Sequence, residues 1–105
     1  MENQIEIFKA LANKTRVEIL KWLKDPIQHF DKESSYLIRS INEKGGVCVR
    51  DIQEKANMSQ STIAHYLRMM KKVGLLESEY HGQWTYYRRN EDTIRAVAYY
   101  MKNHL

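Results

Sequence analysis

The 105-residue chain has a single cysteine, Cys48, a single proline, Pro26, and only four glycines. One cysteine excludes an internal disulfide framework and a thiolate-rich zinc centre. So little proline and glycine, with no repeats and no low-complexity tract, argues for helices joined by few long loops. No apolar run approaches the roughly 20 residues that span a bilayer, and the opening MENQIEIFKALA lacks an apolar core behind a basic start. These absences predict a cytoplasmic protein with no membrane partner. Charge of one sign is also scarce: 17 Lys and Arg against 13 Asp and Glu leave +4, compatible with a nucleic-acid surface but not diagnostic of one. Glu and His residues are scattered, with no nucleophile and base at a recognisable spacing and no phosphate-cradling glycine loop, so no enzyme is expected.

What the chain does have is helical periodicity, densest in residues 49–74, VRDIQEKANMSQSTIAHYLRMMKKVG. Ile52 and Ala56 lie four apart on a first short helix over 51–57, and Ile63, Leu67 and Met70 follow at i, i+4 and i+7 on a second over 60–73. Asn57-Met58-Ser59 breaks the two. Ser59 is suited to cap the second helix and Gly74 to stop it, with Lys71 and Lys72 in the last turn, where the helix dipole favours cations. Two helices at so tight a turn present the start of the second to a DNA major groove.

Elsewhere the pattern predicts a helix over 2–12 with Ile5, Phe8, Leu11 and Ala12 as its stripe. A second helix carries Val17, Leu20 and Leu23, flanked by Ile19 and Trp22, capped by Asn13 or Thr15 and ending at about Lys24 before Pro26. Residues 27–46 are the least legible; SSYLIRSINEK fits a short helix with Leu37 and Ile41 inward, closed by Gly45-Gly46. Val47-Cys48-Val49 fits a brief strand. After Gly74 the period becomes two, with Leu76, Ser78 and Tyr80 on one face of a strand, His81-Gly82 at a turn, and Trp84, Tyr86 and Arg88 on one face of the next. Asn90 caps a last helix from Glu91 to about Asn103 with Ile94, Val97, Ala98 and Met101 as its apolar stripe. The order predicts a single domain over 1–105, mainly α with a β-hairpin wing: a winged helix-turn-helix with the helix-turn-helix at 49–74 and the wing at 75–89.

Three blocks, FKALANKTRVEILKWL, VCVRDIQEKANMSQSTIAHYLRMMKKVGLL and SEYHGQWTYYRR, make the chain resemble the ArsR/SmtB family of dimeric bacterial transcriptional repressors. The resemblance covers nearly everything except residues 25–46. It implies a homodimeric, sequence-specific regulator of double-stranded DNA whose recognition helix reads the major groove through Gln60, Ser61, Thr62 and His65. Gln pairs with adenine, and Ser, Thr and His meet bases or phosphates, so the chemistry agrees. Arg68 either extends a positive flank toward the DNA backbone or lies on a solvated helix face. Tyr66 lies between the core stripe and the exposed face and is expected to pack against the wing, with DNA contact the competing role. His81 and Gln83 flank the wing tip, where a family wing approaches DNA, while Arg88 and Arg89 either meet phosphate or pair with carboxylates such as Glu91. Trp84, Tyr86 and Tyr87 read as packing residues of the hairpin. The dimer helices are 1–12 and 91–104, with Ile5, Phe8, Tyr99 and Met101 as candidate interface residues and internal packing the competing role for Phe8.

The family's metal sensors show what this chain departs from. One class places Cys-Val-Cys where Cys48-Val49-Arg50 stands here, so only the first thiolate is kept. Another uses Asp, His and Glu in the last helix, where Asp92 is present but Ile94 replaces the His. A site from His29, His104 and carboxylates is the remaining metal option, and no metal or other cofactor is expected. Cys48 is either a redox-active thiol beside Arg50 or a small core residue. Residues 25–46 either shape a pocket for an unidentified small effector or decorate the fold. The rival functions are a winged-helix protein-interaction module without DNA binding, and a metal- or redox-responsive member of the same repressor family.

Overall fold

The computed structural model describes residues 3–105, so Met1 and Glu2, assigned by the sequence to the first helix, lie outside the described residues. Seven helices and three strands follow in the order α1 (Gln4–Leu11), α2 (Lys14–Lys24), α3 (Pro26–His29), α4 (Ser34–Lys44), β1 (Val47–Cys48), α5 (Val49–Ala56), α6 (Gln60–Lys72), β2 (Leu76–His81), β3 (Trp84–Arg89) and α7 (Glu91–His104). The fold is a winged helix-turn-helix, mainly helical with one antiparallel hairpin.

Side-chain caps set the boundaries. Asn13 Oδ1 accepts from Arg16 N at 3.0 Å to start α2, and Asp25 Oδ1 accepts from Gln28 N at 3.4 Å to start α3, with Pro26 at its first position. Asn90 Oδ1 accepts from Thr93 N at 3.3 Å to start α7. Residues 26–29 are therefore helical, an element that four residues are too few to announce by periodicity. The 34–44 helix forms as the sequence predicts, with Leu37 fully buried, but Ile41 is only half-buried and Ser40 takes the second core position. Ser40 Oγ donates to Gly46 O at 2.6 Å, which satisfies the hydroxyl inside the core.

The sheet order is β1-β3-β2, with Val47 opposite Tyr87, Ser78 opposite Tyr87 and His81 opposite Trp84. β1 is two residues long, because Val49 already begins α5. The predicted His81-Gly82 turn is displaced by one residue: His81 closes β2, and Gly82-Gln83 forms the two-residue loop, Gly82 having φ +63° at the first central position as a type II′ turn requires. At Gly46 a Cβ would stand 2.2 Å from Tyr87 O, so only glycine lets β1 approach β3 this closely.

The core gathers Ile7 and Ala10 of α1, Ile19 and Leu23 of α2, Phe30, Leu37, Val47, Ile52, the α6 stripe Ile63, Leu67 and Met70, then Leu75, Leu76, Tyr87 and Val97. Leu67 is fully enclosed, and truncating such a leucine to alanine costs about 2–5 kcal/mol. Three predicted stripes are corrected. In α1 the buried pair is Ile7 and Ala10, while Ile5 and Ala12 are exposed, because the helix has apolar residues on two faces and only one meets the core. In α2 the centre is Ile19 with Leu23, and Val17 and Leu20 are half-buried. In α7 only Val97 is buried and Ala98 and Met101 face out.

Candidate nucleic-acid interface

Everything the proposed reader surface requires follows from how the 57–59 turn is held. Asn57 adopts the left-handed conformation, φ 53°, which Asn tolerates better than most residues, and its N–H donates to Gln53 O and Glu54 O. Gln53 Nε2 reaches across the turn to Met58 O at 2.8 Å. Ser59 Oγ accepts from Thr62 N at 3.2 Å and donates to Thr62 Oγ1 at 2.8 Å, so the start of α6 is pre-formed. At the other end Gly74, φ +89°, ends the helix as the sequence predicts.

With Ile63, Leu67 and Met70 buried, the opposite side of α6 presents Ser61, His65, Arg68 and Lys72 at i, i+4, i+7 and i+11, all exposed, with Gln60 exposed beside them. Thr62 is half-buried and partly committed to the cap. Among the described residues Arg68 is in no ion pair. Its charge lies close enough to oppose part of the upward push that burial gives the Tyr87 phenol. Tyr66 packs elsewhere than predicted: Asn13 Nδ2 donates to its hydroxyl at 3.4 Å and the Arg16 guanidinium lies 4.9 Å from its ring centre, so it seats α6 on the α1–α2 turn and not on the wing. Its direction follows from α6 crossing α1, a tertiary fact that helix spacing does not contain.

The wing brings Gln83 to its tip, exposed, with His81 half-buried behind it. His81 Nε2 is 3.3 Å from Glu79 Oε1 and its ring meets Tyr86 edge-on at 5.7 Å. Arg88 is tied to the protein's own acceptors at the surface: Nη1 donates to Glu79 Oε2 at 2.5 Å and to Gly45 O at 3.0 Å, and Nε to Glu77 Oε1 at 3.3 Å. His81 first, and then Arg88, hold the Glu79 carboxyl below the usual carboxylate range. Arg89 pairs with Glu91, Nη2 donating to Oε1 at 3.0 Å and Nε lying 2.8 Å from Oε2 without hydrogen-bond alignment, the second of the alternatives open in the sequence. Tyr87 is buried, whereas Trp84 is half-buried and serves a contact absent from the sequence reading. The Arg50 guanidinium lies over its indole, 4.7 Å from the ring centre. Arg50, Gln53, Val49, Gln60 and Trp84 line one cavity of about 220 Å³ between α5, the start of α6 and the base of the wing. The sequence marks Arg50 only as the residue in place of a second thiolate; no local spacing connects position 50 to position 84.

Behind this face the 25–46 segment is tied to α5. Tyr36 Oη donates to Asp51 Oδ2 at 2.6 Å, and Lys32 Nζ lies 3.8 Å from Asp51 Oδ1 and 3.4 Å from Glu54 Oε1. Burial, and then the bond to Asp51, push the Tyr36 phenol up. The same segment walls an open cavity of about 560 Å³, lined among others by Lys24, Glu43, Glu79 and Arg88. Cys48 is 1% exposed, a thiol closed to solvent oxidants. Among the described residues no three His, Cys, Asp or Glu side chains converge as a metal site. His104 instead stacks on Tyr100 at 5.6 Å. No described helix is long and apolar enough to cross a membrane.

On the far side Phe8 packs on Tyr100, ring centres 6.3 Å apart, and Gln4 Nε2 donates to Tyr100 Oη at 3.4 Å, which lays α1 beside α7. Phe8 is half-buried, so it serves internal packing, and Ile5, Tyr99 and Met101 stand 60%, 63% and 55% exposed.

Comparison with known proteins places these features in context. The family described as "Bacterial regulatory protein, arsR family" matches residues 31–78. The HTH-type transcriptional regulator YbzH of Bacillus subtilis (strain 168) is 41% identical over 96% of this chain and 97% of its own length. The HTH-type transcriptional regulator MJ1325 of Methanocaldococcus jannaschii is 30% identical over 91% of this chain and 88% of its own. Among solved structures, the homodimeric winged helix-turn-helix DNA-binding domain of Mb0332 from Mycobacterium bovis superposes with a TM-score of 0.61 at 28% identity, covering 92% of this chain and 74% of that one.

Proposed function

Since this chain belongs to the arsR family of DNA-binding transcriptional regulators, which are not enzymes, we propose that it acts as a homodimer that represses transcription by occupying a pseudo-palindromic operator. The two α6 helices enter successive major grooves roughly 34 Å apart. Gln60, Ser61, Thr62 and His65 meet base edges and the adjoining phosphates, Arg68 runs along the backbone, and His81 and Gln83 bring the wing to the flanking DNA. Arg88 belongs to the wing's own architecture, since two carboxylates and a carbonyl already hold its guanidinium. The observation that carries the reading is the capped, exposed start of α6 with its outward row of Ser61, His65 and Arg68.

Dimerisation through α1 and α7 is supported by the exposed Ile5, Tyr99 and Met101 on two adjacent helices, and by the homodimeric state of the Mycobacterium bovis domain. A dimer seated across an operator excludes other proteins from the same grooves, which is the repressive mode. The test is selection of bound duplexes by the purified protein, followed by titrations at several salt concentrations. Log K is expected to fall linearly with log salt, and replacing Gln60 and Thr62 by alanine is expected to erase the preference for the selected sequence, each good base contact being worth about 1–3 kcal/mol of discrimination. Absence of salt-dependent duplex binding would overturn the reading in favour of a protein-interaction module.

A further inference from the structure

We propose that Arg50, placed over the Trp84 ring, is a phosphate anchor that grips the DNA backbone where the recognition helix meets the wing. The proposal rests on the DNA-binding reading above and adds a site to it. Among the described residues, Arg88 is engaged by Glu77, Glu79 and Gly45 O, Arg89 by Glu91, Arg95 by Asp92, and Arg16 by the carbonyls of Ala10 and Lys9, whereas Arg68 of α6, like Arg50, is in no ion pair. Arg50 is exposed and among the described residues makes no ion pair, although Asp51 adjoins it in sequence, because that carboxylate is buried and engaged by Tyr36 and Lys32. What positions Arg50 is an aromatic face 4.7 Å away. A cation–π contact consumes no N–H donor, and among the described residues the Arg50 guanidinium makes no side-chain hydrogen bond, so its donor fork is left for a phosphate.

The surroundings fit that ligand. Among the described residues, Arg50 is the only charged one lining the 220 Å³ cavity it shares with Val49, Gln53, Gln60 and Trp84. Gln53 Nε2 donates one N–H to Met58 O, which fixes this side chain on the turn beside the cavity. Gln60 opens the helix proposed to enter the groove, so a strand passing along the groove edge runs beside this cavity. The first helix of a helix-turn-helix crosses the backbone at this level, and Arg50 is the second residue of that helix, where the dipole adds positive potential. Trp84 is paired with His81 across the wing, so the anchor joins helix-turn-helix and wing into one clamp.

The experiment measures affinity of wild type, Arg50→Ala, Arg50→Gln, Arg50→Lys and Trp84→Phe for a selected duplex and a scrambled one, across a salt series, with circular dichroism to verify folding. Arg50→Ala and Arg50→Gln are expected to weaken both duplexes by the same factor, about ten-fold or more, leaving their ratio unchanged. The log K against log salt slope should shrink by about 0.9 for each Arg50 engaged. Arg50→Lys should keep the slope yet lose part of the affinity, and Trp84→Phe should lie between it and wild type. Should Arg50→Ala fail to fold, the glutamine variant, which keeps the stem on the indole, decides. An unchanged slope and affinity overturns the anchor, as does a changed selected-to-scrambled ratio, which would make Arg50 a base reader. Wild type binding neither duplex overturns the DNA-binding reading itself.

Discussion

Tyr36→Phe deletes one oxygen and, with it, the only hydrogen-bond donor to the Asp51 side chain among the described residues. Asp51 is 3% exposed in its side chain, and its other partner, Lys32 Nζ, stands 3.8 Å away, an ion pair but not a hydrogen bond. A hydrogen bond to a charged group contributes about 1.5–3 kcal/mol, and a buried carboxylate deprived of its donor keeps its desolvation penalty. The expected loss is therefore about 2 kcal/mol, which for a domain of this size lowers Tm by roughly 8–16 °C. Urea and thermal unfolding of Tyr36→Phe, Asp51→Ala and the double variant, all at one protein concentration because a dimer's Tm depends on it, close a double-mutant cycle. The coupling should match the single loss. A Tyr36→Phe protein within about 0.5 kcal/mol of wild type, or a coupling near zero, refutes the idea that this bond fastens α4 to the first helix of the reader.

Two further outcomes follow from the same geometry. Replacing Tyr99 and Met101 together by Glu places charge on exposed positions of α7, so the protomer should stay folded while sedimentation shifts from dimer to monomer and operator affinity drops; a variant that still sediments as a dimer removes α7 from the interface. Glu79, held below the ordinary carboxylate range by His81 and then Arg88, contributes its tether at and above neutral pH and loses it as pH falls through that lowered value. Wing amide resonances should therefore move below the usual carboxylate range in wild type, and Glu79→Gln should already carry the altered wing spectrum at neutral pH; superimposable spectra would disprove the tether.

Where one helix face is apolar and the other polar, sequence and structure agree. Ile63, Leu67 and Met70 are all buried, Ser59 and Asn90 cap as their types suggest, and the period-two stretch after Gly74 becomes the hairpin. Agreement fails where a helix is apolar on two sides. In α1 the spacing of Ile5, Phe8 and Ala12 is as helical as that of Ile7 and Ala10, and only packing against α2 and α6 tells which goes inward. Ile5 and Ala12 are left exposed on the protomer, and Phe8 turns to Tyr100. The 25–46 segment is opaque for a different reason: its anchors are Ser40 on Gly46 O and Tyr36 on Asp51, polar bonds that leave no hydrophobic period.

The arginines mark the sharper limit. Positions 50, 68, 88 and 89 look alike in sequence, each a cation near the reader, and chemistry separates them only through partners brought from elsewhere in the chain. Arg88 meets Glu77 and Glu79 because a two-residue turn at Gly82-Gln83 fixes the cross-strand register, and a loop one residue longer would turn those carboxylates away. Arg89 meets Glu91 at the first turn of α7. Arg50 finds an indole in place of an acid, and so keeps its charge for a ligand. In the anchor proposed above, the arginine that stands where the resemblance places a second thiolate supplies a cation positioned by Trp84 at the start of α5.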